Sequence, residues 1–421
     1  MFLSFLIFLI VGRSTHTLIK YLISFSKELN IRVILADQMS NKFVDDYVRK
    51  KQCQFVKFDI NNNEQRKSHI SDSDLVISML PPKFHYVVAK DCILFKKNLV
   101  TASYVSDEIQ KLDLLAKKAN IIILNEVGLD PGIDHISAMD IIDSLKDKGA
   151  KINSFKSFCG GLIAPQSDDN PWGYKFTWNP KNVILAGMSG ASYLKDGKVK
   201  KLKYKEIFNN TEKVTIPNYG EFESYANRDS LHYKKKYNLI DAQTIVRGTL
   251  RKSGFCEAWN VFVQLGMTLD DSTAQIIQKD IFLNHLRDLN SKEVNDKMEY
   301  LDLFNNDKIN NYNSPFSHLL DVLKKKWCLN DLDKDMIVMQ HKFNYHLNNK
   351  DHNLTLSMVV EGDDNIQTAM AKTVGLPVFF ACKLILENKI SLKGVRIPIY
   401  KEIYKPILKQ LDNEGINFFT D

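Results

Sequence analysis

The stretch 1-MFLSFLIFLIVGRSTHTLIKYLISFSKELNIRVILAD-37 decides the fold of this chain. An apolar run ends at Gly12, and the residues after it repeat their apolar positions with the spacing of an amphipathic helix. A second apolar strand, residues 31–37, ends in an aspartate. Strand, tight turn, helix, strand and acid is the order of a dinucleotide-binding βαβ unit. The stretch therefore predicts such a unit, with Ser14 or Thr15 as the cap of its helix.

The glycine fingerprint of this unit is incomplete. Aligning Gly12 with the middle glycine of GxGxxG puts Ile10 at the first position and Thr15 at the third. The middle glycine is the one that lets the backbone approach a pyrophosphate, so the most needed glycine is present. The helix that follows offers amide donors at its N-terminus. We therefore predict that Gly12, Arg13 and Ser14 bind the cofactor.

The same apolar run could also be a membrane address, but its pattern argues against one. A secretory signal has a basic segment before its apolar core, but no Lys or Arg precedes Phe2 here. The run stops at Val11, well short of the roughly 20 residues that span a bilayer. The six cysteines contain no CxxC pair, which is typical of reduced thiols in a cytoplasmic protein. We expect a cytoplasmic protein without membrane association, and keep a membrane-anchored protein as an alternative.

Strands and helices continue to alternate as far as residue 127. Apolar strands are expected near the N-terminus and at 31–37, 54–60, 74–80, 98–103 and 121–127. This alternation predicts an α/β fold with a parallel, doubly wound sheet of the Rossmann type. Ligands bind beyond the carboxyl ends of such strands. Besides the glycine turn, those ends are Asp37, Asp59, Leu80, Pro81, Ser103, Tyr104 and 128-GLDPG-132, and we predict cofactor contacts at Asp37, Asp59, Leu80, Pro81, Leu129 and Pro131.

Asp37 bears on the choice of cofactor. A carboxylate at the end of the second strand binds the ribose hydroxyls of adenosine and repels a 2′-phosphate. The sequence therefore favours NAD over NADP, with NADP kept as possible. The alternative for Asp37 is a surface aspartate at a strand end.

The pattern changes to a mixture of strands and helices after about residue 150. We predict a Rossmann domain at 1–130, a mixed α+β substrate and dimerisation domain at 131–385, and a C-terminal segment, 386–421, that packs back on the first domain. The apolar stretch 365–386 has small residues on every face. That composition favours close helix packing, with a homodimer contact as the weaker option.

Charge and histidine content exclude several classes of protein. The net charge is +7, but the lysines are scattered, and the densest run, 198–206, has no aromatic or glycine–arginine repeat beside it. We expect a solvated surface and no nucleic-acid groove, while a mildly basic enzyme suits an anionic small-molecule substrate. There is no HExxH, and His341 and His346 lie in an alternating, strand-like stretch. We expect no metal site.

The stretch 124-LNEVGLDPGIDH-135 resembles the saccharopine dehydrogenases of the glutamate-forming type, also called saccharopine reductases. Other matching stretches are spread over almost the whole chain: 101-TASYVSDE-108, 158-FCGGLIAP-165, 170-NPWGYKFTWNP-180, 245-IVRGTLR-251 and 362-GDDNIQTAMAKTVGLP-377. The resemblance implies a two-domain Rossmann enzyme whose substrate domain is inserted after the first βα series. The chain departs from the family at its start, where members carry GxG and this chain has Ile10, Val11 and Gly12.

The resemblance also implies a reaction. Hydride leaves the lysine-derived carbon of saccharopine, and water cleaves the resulting imine to glutamate and 2-aminoadipate semialdehyde, or the reverse occurs. That chemistry needs a hydride acceptor, a proton acceptor, an oriented water and clamps for three carboxylates. The family places Tyr104, Asp130 and Cys159 around the reacting amine and water.

Each of these three residues also has an interpretation from the sequence alone. Asp130 ends the sixth strand, with Pro131 in the first turn of the next helix, so it either holds the substrate ammonium or caps that helix. Tyr104 follows the fifth strand, where its hydroxyl can orient water. Cys159 precedes two glycines, and without the resemblance it would be read as structural. None is a convincing lone general base, so we expect proton transfer through water.

Arginines are the candidate clamps for the substrate carboxylates, because a guanidinium matches a carboxylate with two parallel hydrogen bonds. We choose Arg228 and Arg251, with Thr249 as a hydroxyl donor and Ser103 as a further substrate contact. Trp178 borders the nicotinamide ribose or is a core tryptophan. Two alternatives keep the fold: a related imine or amine oxidoreductase of polyamine synthesis, and a non-catalytic protein whose glycine finger has decayed.

Overall fold

The computed structural model describes residues 3–8, 13–28, 31–271, 277–303 and 313–420, with side chains from residue 14 onward. Its strands are β1 (Leu3–Phe8), β2 (Ile31–Asp37), β3 (Gln54–Lys57), β4 (Leu75–Ser78), β5 (Asn98–Val100), β6 (Ile122–Leu124), β7 (Lys151–Ile163), β8 (Ala191–Lys195), β9 (Lys198–Leu202), β10 (Thr211–Ile216), β11 (Gly220–Ala226), β12 (Arg228–Asp229), β13 (Thr244–Lys252), β14 (Asp335–Leu347), β15 (Lys350–Glu361), β16 (Gly394–Arg396) and β17 (Phe419–Thr420). Its helices are α1 (His16–Glu28), α2 (Lys42–Arg49), α3 (Asn63–Ser71), α4 (Pro82–Leu94), α5 (Asp107–Gln110), α6 (Asp113–Lys118), α7 (Ile133–Asp147), α8 (Pro180–Ile184), α9 (Tyr204–Ile207), α10 (His232–Lys236), α11 (Phe255–Gln264), α12 (Lys279–Leu289), α13 (Lys292–Leu301), α14 (Pro315–Lys326), α15 (Ala369–Leu386) and α16 (Lys401–Asn413).

The chain folds into two compact units. The first unit comprises 1–143 and 366–417, and the second comprises 144–365 and 418–421. These divisions differ from the predicted boundaries after residues 130 and 385. The first boundary lies later because α7 begins at Ile133 and belongs mostly to the first unit. The second lies earlier because α15 packs against α1.

The first unit contains a fully parallel sheet in the order β16-β6-β5-β4-β1-β2-β3. The predicted Rossmann-type sheet is confirmed, and the apolar N-terminal run contributes an interior strand, β1, which pairs with β4 and β2. The sequence missed β16, because only three residues, Gly394–Arg396, pair with β6. The reversal of strand order beside β1 is the point at which doubly wound sheets bind their ligands.

The C-terminal part of the chain, residues 366–417, completes the first unit. Helix α15 is long and apolar enough to cross a membrane, but 78% of this span is buried inside the structure. A Cβ on Gly375 would lie 2.8 Å from the Leu18 backbone nitrogen, so the close approach of α15 to α1 requires glycine there. The predicted close helix packing is therefore confirmed. Tyr404 of α16 donates a hydrogen bond to Asp143 Oδ2 at 2.6 Å, which fastens the last helix to α7 within the same unit.

The second unit is built on a mixed sheet in the order β10-β11-β13-β7-β14-β15-β17, with β8, β9 and β12 beside it. Strands β13 and β7 run parallel, whereas β7 and β14 run antiparallel. Phe158, Leu250 and Val338 pack together in one core cluster of this unit. A separate aromatic cluster contains Trp172, Tyr174, Phe255, Trp259 and Trp327. The architecture agrees with the predicted mixed α+β domain.

Candidate active site

Several of the predicted cofactor contacts lie at the start of α1 and at the end of β2. Gly12 is outside the described residues, and of Arg13 only the backbone is described, at the start of a 3₁₀ turn, Arg13–Thr15, that leads into α1. The hydroxyl of Thr17, in the first turn of α1, is buried and has no hydrogen-bond partner among the described residues. Asp37 is the last residue of β2 and half-buried, and its Oδ1 accepts from the Gln38 backbone at 2.6 Å. A polar atom without a partner at a helix start fits a phosphate-bearing ligand.

The other predicted cofactor residues occupy the next strand ends in different ways. Asp59 follows β3, is exposed, and accepts a hydrogen bond from the Asn61 backbone at 3.0 Å, so its carboxylate closes a local turn. Leu80 is buried beyond β4, and Pro81 stands immediately before α4. Leu129 is also buried, in the loop after β6.

A buried chain of hydrogen bonds connects the ends of β4 and β5. His85 of α4 lies 2.9 Å from Ser78 Oγ through Nδ1 and 2.7 Å from Ser103 Oγ through Nε2. Burial lowers the pKa of His85 from 6.5 to about 4, so the ring is neutral at physiological pH. Ser103, a predicted substrate contact, is therefore oriented by a residue that the sequence analysis missed. No spacing signal marks His85, since it looks like any polar residue on an apolar helix.

Replacing His85 with glutamine should change the pH dependence of stability. Because the folded pKa lies below the unfolded one, the unfolded chain binds more protons between pH 6.5 and 4, and the free energy of unfolding falls as the pH falls. This contribution is about 2 kcal/mol between pH 7 and pH 5. Urea unfolding at both pH values measures the free energy of unfolding. Its fall from pH 7 to pH 5 should be smaller by that amount in His85→Gln than in the wild type. An unchanged difference would contradict the neutral buried ring.

Tyr104 and Asp130 meet at the ends of β5 and β6. The Tyr104 hydroxyl donates to Asp130 Oδ1 at 3.0 Å, and both side chains are half-buried. The prediction that Pro131 lies in the first turn of a helix is wrong, because α7 begins at Ile133. Gly132 stands directly before α7, so Asp130 is not the N-cap residue of this helix, and the Gly132 backbone donates to Asp134 Oδ1 at 2.5 Å.

The loop that carries Asp130 is compact. Gly132 has φ +150°, and a Cβ there would lie 1.9 Å from Gly128 O. The Gly128 backbone donates to Pro131 O at 2.9 Å. No other residue type fits at Gly132, which explains the GLDPG sequence as the means of presenting Asp130.

In the second unit, Cys159 and Thr249 lie side by side in the sheet. Thr249 of β13 pairs with Cys159 of β7, and the same row continues to Tyr225 of β11 and Met339 of β14. Residues paired in this way share one face of a sheet, and Arg251, two positions beyond Thr249, faces the same way. A Cβ on Gly160 would lie 2.7 Å from Leu250 O, so the glycine after Cys159 lets the two strands approach closely.

Arg251 is a buried cation surrounded by aromatic rings. Arg251 is only 4% exposed. Its guanidinium carbon lies 5.2 Å from the ring centre of Tyr174 and 5.3 Å from the ring centre of Phe255. Nη1 donates to Leu250 O at 2.9 Å, while Nε is buried and has no partner in the part of the chain that the structure describes. Burial lowers the pKa of Arg251, but Tyr225, Tyr174, Cys256 and Cys159 together raise it above its ordinary value.

Within the described part of the chain, no carboxylate forms an ion pair with Arg251. Buried charges are normally paired, since the desolvation of an unpaired one is costly. Lys175, a buried cation of the same unit, follows this rule and contacts Asp169 and Asp333 at 2.8 Å each. Arg251 therefore has the environment expected of a group whose anion comes from a ligand.

Two predicted residues lie on the surface of the second unit. Arg228 is exposed, has φ +56°, and begins β12, which pairs with β8. The preceding residue, Asn227, contacts the Arg247 backbone, so Arg228 lies toward the opposite end of β13 from Arg251. Trp178 is 38% exposed, which excludes the alternative of a core tryptophan. Among the described residues, no group of three or more His, Cys, Asp or Glu could hold a metal ion.

Comparisons with known proteins agree with this geometry. The family model described as the saccharopine dehydrogenase NADP binding domain matches residues 10–124, and that of the saccharopine dehydrogenase C-terminal domain matches residues 128–416. A saccharopine dehydrogenase [NADP(+), L-glutamate-forming] of Pyricularia oryzae is 35% identical, over 85% of this chain and 86% of its own length.

Longer relatives and a solved structure give the same result. The alpha-aminoadipic semialdehyde synthase of Rattus norvegicus is 37% identical over 94% of this chain, which spans only 46% of that relative. The chain thus covers about half the length of this relative. The apo saccharopine dehydrogenase (L-Glu forming) from Saccharomyces cerevisiae superposes with a TM-score of 0.84 at 29% identity, over 99% of both chains. This chain belongs to the saccharopine dehydrogenase family.

Proposed function

We propose that the chain oxidises saccharopine, with a nicotinamide dinucleotide and water, to L-glutamate and 2-aminoadipate 6-semialdehyde, or catalyses the reverse reaction. The observation that carries this proposal is the buried Arg251 guanidinium, for which the described residues supply no carboxylate. A tricarboxylated amine offers such an anion. The fungal relatives that match this chain over most of their length bear the name of this activity.

The first unit fits a nicotinamide dinucleotide, which would supply the hydride acceptor when bound. The strand order, the helix start at α1 and the carboxylate of Asp37 are the features that such a cofactor requires. Asp37 favours NAD, whereas the family model and the names of the fungal relatives carry NADP. We propose NAD as the preferred cofactor, on the charge of Asp37.

Tyr104 and Asp130 would act on the reacting amine and water. The Asp130 carboxylate can hold the substrate ammonium, and the Tyr104 hydroxyl, fixed by its hydrogen bond to Asp130, can orient the attacking water. Neither group is strongly basic, so the amine proton leaves through water. Ser103, oriented by His85, would donate a hydrogen bond to the ligand at the same sheet edge.

Cys159, Thr249 and Arg251 would contact the substrate from the face of the second sheet that they share. Thr249 is half-buried and offers a hydroxyl beside the Arg251 guanidinium. We assign Arg228, as an exposed cation, to a second carboxylate, and Trp178 to the nicotinamide ribose. These assignments rest on the family resemblance and on the polarity of each side chain.

An absorbance assay at 340 nm with saccharopine and each cofactor tests the proposal. We expect reduction of the cofactor that depends on saccharopine, and its reoxidation with glutamate and the semialdehyde. An amine that lacks the carboxylates should be turned over far more slowly, and its preferential use would favour the polyamine-type alternative. Failure of NADH fluorescence to change on mixing with the protein would instead support a non-catalytic protein.

The oligomeric state and the cellular compartment of the protein remain predictions. We propose a cytoplasmic homodimer that acts on small molecules, without nucleic-acid or membrane partners. Light scattering of the purified protein tests the dimer, because a monomeric mass at micromolar concentration would contradict it.

A further inference from the structure

The backbone of Glu126 adopts an unusual conformation just after β6. Its φ is +60°, in the left-handed region, and the residue is 1% exposed. For a residue other than glycine this conformation costs on the order of 1–2 kcal/mol. Such a conformation persists only where surrounding contacts determine it, and it is often found near functional sites.

The contacts of Glu126 reach two separate segments of the first unit. Its Oε1 accepts from the Val105 backbone at 3.1 Å, and its backbone nitrogen donates to Ser103 O at 3.0 Å. Its Oε2 lies 2.7 Å from Nε2 of His135, which is fully buried in the first turn of α7. Glu126 is thus hydrogen-bonded to both neighbours of Tyr104 and to the helix that follows Asp130.

We propose that Glu126 and His135 are positioning residues that fix the Tyr104–Asp130 pair, through the Val105 backbone on one side and α7 on the other. This inference rests on the proposed function and adds two residues to it. Neither residue needs to touch the substrate. Their effect reaches the reaction through the geometry of Tyr104 and Asp130, which are hydrogen-bonded at 3.0 Å.

A buried ion pair of the same unit shows what a purely structural role looks like. Arg66 and Asp91 lie 2.7 Å apart, with side chains 7% and 8% exposed, and join α3 to α4. Both helices have ordinary backbone geometry at these residues, and neither side chain hydrogen-bonds to a residue that flanks Tyr104 or Asp130. Asp91→Asn is therefore a matched control for the loss of a buried carboxylate.

A double-mutant cycle between Glu126 and Tyr104 tests the proposal. Glu126→Ala should lower kcat for saccharopine by about tenfold or more, with a smaller change in KM, because small displacements of reacting groups are costly. In the Tyr104→Phe background the same substitution should lower kcat by about threefold or less, because the hydrogen bond between Tyr104 and Asp130, through which part of its effect acts, is already absent. Glu126→Gln, which keeps an acceptor for Val105, should retain most of the activity.

The Asp91→Asn control should lower the unfolding midpoint without lowering kcat. Equal effects of Glu126→Ala in both backgrounds would overturn the proposal, as would a kcat unchanged by Glu126→Ala. If Glu126→Ala fails to fold, the cycle is measured with His135→Gln, and the same two outcomes decide.

Hydrogen exchange separates this inference from the proposed function. In Glu126→Ala, or in His135→Gln if the first variant does not fold, amides of residues 103–106 should exchange at least tenfold faster than in the wild type. They should be unchanged in Asp91→Asn. An inactive wild type would refute the proposed function, and the exchange result would still decide whether Glu126 holds the Tyr104 segment. Unchanged exchange in the variant would overturn the positioning role.

Discussion

Replacement of Arg251 by alanine is expected to raise the KM for saccharopine by about 100-fold, because truncating one partner of a buried charge pair costs several kcal/mol. The KM for the nicotinamide cofactor should change by less than about twofold, since Arg251 is proposed to bind a substrate carboxylate and the proposed cofactor contacts, Trp178 excepted, belong to the first unit. Steady-state kinetics with each substrate varied in turn gives both values.

Two further variants show whether the effect comes from the guanidinium itself. Arg251→Lys keeps the charge but loses the forked donor geometry, so its KM should lie between those of the wild type and Arg251→Ala. Lys175→Met removes a buried cation that already has two carboxylate partners, so it should lower stability and leave KM unchanged. An unchanged KM in Arg251→Ala would refute the carboxylate clamp.

The stability of Arg251→Ala gives independent information about the same residue. A buried cation without a carboxylate contributes little to folding, because its desolvation opposes the gain from the surrounding aromatic rings. We therefore expect its unfolding midpoint to fall less than that of Lys175→Met, whose loss leaves Asp333 buried without its cation. Such a contrast is typical of a residue retained for binding rather than for folding.

The architecture of the first unit could be predicted because its signals are local. Each strand from β1 to β6 is a short apolar run between helices, and that pattern alone specifies a parallel sheet. The three-residue strand β16 has no such signal, because its pairing with β6 depends on a return of the chain from about 270 residues away. The two units divide before α15 rather than after residue 385 for the same reason, since that helix packs against α1 at Gly375.

The site was predictable where a residue ends a strand and not where it acts through another residue. Tyr104 and Asp130 follow neighbouring strands, so their contact follows from the topology. His85 has no such positional mark, because it lies inside α4 and its importance comes from its hydrogen bond to Ser103. Glu126 does follow β6, but nothing in the sequence shows that its carboxylate bonds to His135 and to the Val105 backbone instead of facing a ligand. The role of Pro131 was mistaken because proline before a helix has several possible positions, and here one residue, Gly132, separates it from the first helical residue, Ile133.

The choice of cofactor depends on one carboxylate. Asp37 ends β2, where the adenosine ribose of a bound dinucleotide lies in this fold, and a negative charge there opposes a 2′-phosphate. Like charges brought together at a binding site cost several kcal/mol, so the wild type should use NAD with a kcat/KM about 100-fold higher than NADP. The matched family model and the names of the fungal relatives carry NADP, so this chain is expected to differ from them.

Substitution of Asp37 by serine should reduce that preference to less than about tenfold, because the hydroxyl removes the repulsion and still offers a hydrogen bond. The measurement is kcat/KM for NAD and for NADP at a fixed, saturating concentration of saccharopine. Asp46→Asn is the control, since Asp46 is a nearby acid on α2 whose side chain pairs with Arg49 rather than lying at a strand end. In Asp46→Asn the ratio of kcat/KM for NAD to kcat/KM for NADP should equal that of the wild type. A wild type that uses NADP better than NAD would refute the role given to Asp37, and the cofactor choice would then have to come from residues after β2 other than this carboxylate.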